Sequence, residues 1–134
     1  MTTHKPIIYI FGNPLLDFDN LPIKLIPDLQ KEFPQINFII QDPNENLQPD
    51  SEGGLIIIDT VIGIDEIKII HDINKIQQDH IYSMHDFDLG FNLKILKKIG
   101  KIKQICIIGV PSNINEKKAK RDLTNILKCA ILGL

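Results

Sequence analysis

Pro6-Ile7-Ile8-Tyr9-Ile10-Phe11-Gly12-Asn13-Pro14-Leu15-Leu16-Asp17-Phe18-Asp19 is the stretch on which the fold turns. Its first part is a continuous run of bulky apolar side chains. Such a run predicts a strand covered on both faces, as in a parallel sheet, because a half-exposed strand would alternate apolar and polar residues. Its second part is a loop with a glycine, an asparagine, a proline and two acids. Polar loops at the carboxyl ends of strands are where open α/β sheets place their chemistry.

Outward from this stretch, further apolar runs occur at 37–40, 55–58 and 105–108. They are short and rich in isoleucine, whose β-branched side chain favours strands. Residues 67–71 and 81–83 predict a further extended pair, with a polar connection over 72–79. Helical spacing lies between the strands. Leu21, Leu25, Ile26, Leu29 and Phe33 form one stripe, with Asp19 or Asn20 as a cap and Pro22 in the first turn. Pro27 predicts a bend or interruption there, since it removes a main-chain donor. Residues 88–99 predict a second helix closed by Gly100. A last helix is expected from Asn113, with Glu116 three residues on in a capping-box arrangement and a stripe of Ala119, Leu123, Ile126, Leu127 and Ala130. Strand and helix alternate. The expectation is therefore a single domain spanning 1–134. Its fold class is α/β, a three-layer α/β/α sandwich around a mainly parallel, roughly five-stranded sheet. Residues 42–54 form the longest polar connection and are expected to be mobile.

Composition bounds the function. The 134 residues carry 43% apolar and 24% charged side chains, the balance of an ordinary globular domain. A net charge of −2 gives no basis for gripping a nucleic-acid backbone, which needs a concentrated basic face. The lysines over 94–103 and 117–121 read as solvated helix surface. No run reaches the length of a membrane span, and the amino-terminal residues lack a signal-peptide core. Cys106 and Cys129 belong to no metal or redox spacing and are expected as small buried hydrophobes. A reduced, cytoplasmic compartment and a monomer follow as expectations.

Three polar groups close apolar runs in the same way. Asp17 or Asp19 follows the first strand, Asp59 follows residues 55–58, and His85 follows 81–84. Each has an alternative use. An acid after a strand also caps the helix that follows, and Asp86 or Asp88 is as well placed to cap as to orient the His85 ring. Together, two carboxylates and an imidazole make a mixed oxygen–nitrogen set for a divalent metal, with positions left open for water or substrate.

The order of these pieces resembles the nickel–iron hydrogenase maturation proteases. The matching pieces are Gly12-Asn13-Pro14-Leu15-Leu16-Asp17-Phe18-Asp19, Leu55-Ile56-Ile57-Ile58-Asp59, Ser83-Met84-His85-Asp86-Phe87-Asp88-Leu89 and Ile108-Gly109-Val110-Pro111. The resemblance implies an endopeptidase that removes a carboxyl-terminal extension from the hydrogenase large-subunit precursor once nickel is inserted. It puts the metal-binding and catalytic trio on Asp19, Asp59 and His85. Nickel would arrive with the substrate, or another divalent metal in its place. The chain departs from the family at Ile10, Phe18, Asn20 and Pro22, around the first loop but not at the three ligand positions.

Two other functions compete. One is a relative of that fold that binds metal or partner without cutting. The other is a receiver-like phosphoacceptor domain. Against the second, Gly12 to Leu16 separate the first strand from its acids, and Ile108-Gly109-Val110-Pro111 stands where a lysine would end a late strand. A dinucleotide site is disfavoured because the first loop has a single glycine.

Overall fold

The computed structural model describes residues 6–11, 21–40, 49, 54–71, 82–83, 100 and 103–132. These form strands β1 (Ile7–Ile10), β2 (Asn37–Ile40), β3 (Gly54–Ile62), β4 (Lys68–Ile70), β5 (Tyr82–Ser83) and β6 (Gln104–Pro111). Two helices accompany them, α1 (Leu21–Glu32) and α2 (Glu116–Leu132). The fold is α/β with a mixed, mostly parallel sheet in the order β2-β1-β3-β6-β4, and β5 paired to β3 off that path. The pairs β1–β2, β1–β3 and β3–β6 are parallel, whereas β3–β5 and β4–β6 are antiparallel.

The alternation of side chains along the strands builds two cores. Ile8, Ile10, Ile58, Ile108 and Val110 face one way and pack against Leu25 and Leu29 of α1 and Ala119, Leu123 and Leu127 of α2. Tyr9, Phe11, Leu55, Ile57, Val61, Ile105 and Ile107 face the other way and are buried as well. Both faces of the sheet are thus covered, which is why the strands read as continuous apolar runs rather than alternating ones. The two described helices share one face. The expected helix over 88–99 lies outside the described residues, as do 42–48 and 50–53 of the long polar connection.

Several expectations are corrected. Helix α1 runs through Pro27 without interruption. Pro27 is exposed, so its ring sits on the solvent side and the stripe that packs on the sheet is undisturbed. After the helix, Gln30 Nε2 donates to the carbonyls of Phe33 (3.2 Å) and Ile36 (2.7 Å), holding the turn into β2. Helix α2 is capped by Asn115 rather than Asn113. The Asn115 Oδ1 accepts from the amides of Lys117 (2.9 Å) and Lys118 (3.2 Å), satisfying two of the donors that a helix start leaves open. Cys129 is exposed, on the solvent side of α2, and so is not the buried hydrophobe expected. Cys106 is partly buried, and that burial pushes its thiol pKa up, which keeps it protonated and inert.

Candidate functional site

Asp59 is the one member of the expected trio among the described residues. It does not close the strand. Strand β3 continues three residues further, through Thr60, Val61 and Ile62. Thr60 and Val61 are β-branched and buried, and the ladder with β6 extends to Val61 opposite Pro111. Asp59 therefore sits inside a central strand, fully buried, opposite Gly109 of β6. A carboxylate in such a place needs compensating polar or charged neighbours, since burying an ion alone is costly. It shares its face with Leu55, Ile57 and Val61, away from α1 and α2.

Its two flanks differ. On the β6 side the ladder is closed. The chain leaves β3 through Gly63, whose φ of 100° suits a glycine, and crosses the carboxyl end of β6 to reach β4 on the far side. In that crossing Ile64 packs into the Asp59-side core and Ile67 into the helix-side core. Gly109 makes room for this: an added Cβ would lie 3.0 Å from Val61 Cγ2 and 3.5 Å from Ile64 Cδ1.

On the β1 side the ladder changes hands. Tyr9 and Ile10 pair with Ile57 and Ile58, and the Phe11 amide donates to the Ile58 carbonyl at 2.9 Å. This brings the end of β1 alongside Asp59. Beyond it, β5 takes over with Ser83 opposite Val61 and Tyr82 opposite Ile62. Because β5 is antiparallel, the chain passing from Tyr82 to Ser83 runs back toward the level of Asp59. Strand β1 has β2 on one side and β3 on the other, so the β1–β3 boundary is where the chain switches direction across the sheet. Such a switch point opens a crevice at the carboxyl ends of the strands.

Asp19 and His85 lie outside the described residues, as does Asp17. Among the described residues no group of three His, Cys, Asp or Glu side chains could hold a metal ion. His71 is exposed, with its Nδ1 3.2 Å from the Ile105 carbonyl at the amino-terminal end of β6, far along the strand from Asp59. Sequence reasoning missed Thr60. It is fully buried next to Asp59, on the helix-bearing face, and its Oγ1 has no hydrogen-bond partner among the described residues. A hydroxyl directly after a buried acid was the available signal. Among the described residues no helix is long and apolar enough to cross a membrane. Comparison with protein-family models, curated proteins and solved structures gives no match.

Proposed function

We propose that the chain is an endopeptidase of the hydrogenase-maturation type, which recognises nickel in a large-subunit precursor through Asp19, Asp59 and His85 and cleaves off the carboxyl-terminal extension. The observation that carries this reading is the register around Asp59. The end of β1 lies beside it and leads into residues 12–19. The parallel pairing of β1 and β2 through α1 puts the start of α1, at Leu21, on the same carboxyl edge, two residues after Asp19 in the chain. Strand β5 runs toward Asp59 and stops two residues before His85. The end of β1 and the end of β5 thus flank Asp59 within β3, and the sequence runs on from them toward Asp19 and His85, which supports the reading.

In this reading nickel comes with the substrate, held by the precursor's own groups, and the trio completes its coordination. Only metal-loaded precursor would then dock productively. Held there, the metal would supply polarisation of the scissile carbonyl or activation of a water. A carboxylate of the trio not engaged with metal moves the proton. A third layer over the Asp59 face, supplied by a helix across 88–99, belongs to the same proposal. It is supported by the burial of Ile57, Ile105 and Ile107 on that face.

The test is calorimetric titration of Ni2+ into the wild type and into Asp19→Ala, Asp59→Asn and His85→Ala, followed by incubation with nickel-loaded precursor. Loss of a ligand is expected to weaken nickel binding by about 100-fold or more, at or beyond the upper end of what supporting residues alone cost. Unchanged binding in Asp19→Ala and His85→Ala removes the trio. The departures at Phe18, Asn20 and Pro22 favour one second reading, a partner that captures the precursor without cutting it. Stable capture in place of a shortened product would select that reading.

A further inference from the structure

We propose that the outer face of α1 and α2 is a docking surface for an acidic protein segment, whose carboxylates pair with Lys24, Lys31, Lys117 and Arg121. The surface is separate from the Asp59 side of the sheet and does not rest on the function proposed above.

Charge is divided unevenly in this chain. Helices α1 and α2 hold seven cations and four acids, whereas the other residues hold eight cations and thirteen acids. A chain with a net charge of −2 thus carries a basic helix layer on an acidic remainder. Leu25 and Leu29 of α1 and Ala119, Leu123 and Leu127 of α2 face the sheet. Helical spacing therefore turns Lys24 and Lys31 outward on one helix, and Lys117, Arg121 and Lys128 outward on the other. Asp28 and Glu32 lie between these rows, 3.5 Å from Lys120 Nζ and 3.4 Å from Lys128 Nζ. Those two bridges pair ascending positions with ascending positions, so the helices run side by side in the same direction. Their positive dipole ends lie together at the end that carries Lys24 and Lys117. Lys118, Lys120 and Lys128 each have an acid of the fold beside them. Lys24, Lys31 and Lys117 have none among the described residues. Arg121 meets Asp122 through Nε at 3.6 Å and its side chain is 69% exposed. Its two terminal nitrogens remain to offer a fork to a carboxylate.

The pattern also selects the kind of partner. Among the described residues the exposed large apolar side chains, Ile7, Ile40, Ile62 and Ile69, lie on strands and none lies on α1 or α2. A helix face that lies on a membrane needs apolar anchors. A rigid nucleic-acid duplex carries a charge about every 1.7 Å along its axis and would meet Asp28 and Glu32 between the cations. An acidic peptide holds its carboxylates on separate arms and can pass over that middle row.

The experiment titrates the full chain, as wild type, Arg121→Glu and Lys103→Glu, with poly-L-glutamate, with a DNA duplex of equal charge and with phosphatidylserine vesicles. Binding is read from backbone amide NMR shifts. Poly-L-glutamate should shift amides over 21–32 and 116–128. Its affinity should fall at least about three-fold between about 0.05 M and about 0.3 M salt, because exposed charges are screened. Arg121→Glu should weaken binding at least about five-fold, as expected when an exposed attraction becomes a repulsion of similar size. Lys103→Glu makes the same change of charge off this face, just before β6, and should weaken it less than about two-fold. Equal losses in the two variants would mean that only net charge is read, and would overturn the proposal. So would a wild type that does not bind poly-L-glutamate, or shifts confined to other elements. Tighter binding of the duplex or the vesicles than of poly-L-glutamate would overturn it in favour of a nucleic acid or a membrane.

Discussion

Strands β6 and β1 flank the same strand and end differently. β6 stays in register with β3 from Gly54 to Val61, and its end is crossed by the strap over 63–67 that packs Ile64 beside Gly109. β1 pairs with β3 only at Tyr9 and Ile10, sends one further amide to Ile58, and then yields the flank to β5. One flank is sealed by apolar packing and a continuous ladder. The other is where chain segments arrive and leave. The difference divides the expected consequences of substitution. Changes on the sealed flank should register in stability, and changes on the open flank in metal or substrate binding.

Gly109→Ala tests that division most sharply. The new Cβ would meet Val61 Cγ2 at 3.0 Å, with the Lys68 carbonyl oxygen at 3.6 Å. Val61 has a stiff side chain in a central strand, and the Lys68 oxygen is main chain, so neither yields cheaply. The expected loss is about 1–3 kcal/mol of folding stability, read as a lower urea midpoint with an unchanged slope. Nickel binding by the folded variant should stay at the wild-type value. A neutral urea midpoint would show that the strap is loose and the flank not sealed. A selective loss of nickel binding would move Gly109 to the functional side of the comparison.

The same division marks how far the sequence could be read. The apolar runs at 7–11, 55–58 and 105–108 became strands because burial on both faces leaves a nearly continuous signature, and the run at 37–40 became the edge strand β2, with Phe38 buried and Ile40 exposed. The stripes of α1 and α2 were legible for the corresponding reason, one apolar face at helical spacing. What escaped depends on pairing rather than on local pattern. Strand β3 runs past Asp59 because β6 holds it there, and nothing in Leu55-Ile56-Ile57-Ile58 says so. Pro27 predicts a bend or an interruption because the rule concerns the missing donor. Helix α1 is not interrupted there, and Pro27 lies on its exposed side. The cap fell on Asn115 rather than Asn113 because the chain makes a turn after Pro111 before the helix begins, and two nearby asparagines look alike in a sequence. Asp59 was legible as a candidate. The extended run at 81–83 was legible too; its antiparallel pairing with β3 was not, since a two-residue pair carries no period.

Asn115→Ala gives a smaller effect on the sealed side. Two amides at the start of α2 would lose their acceptor, which should cost about 1 kcal/mol. Asn113→Ala, two residues away, should cost less, and the pair of midpoints measured side by side decides which asparagine is the cap. Equal losses would remove Asn115 from that role.

The smallest expected effect concerns what ties the strap to the helix. Lys118 Nζ lies 3.5 Å from Glu66 Oε1, joining the 63–67 crossing to the first turns of α2. The Glu66 side chain is 78% exposed, so water and salt screen the pair. Lys118→Ala should therefore shift stability by less than about 0.5 kcal/mol, and the shift should vanish in high salt. If the loss instead approached that of Gly109→Ala and persisted in salt, the crossing would be held by charge rather than by Ile64 against Gly109. The sealed flank would then owe its closure to an interaction at its rim, and the argument that apolar packing separates it from the open flank would fail.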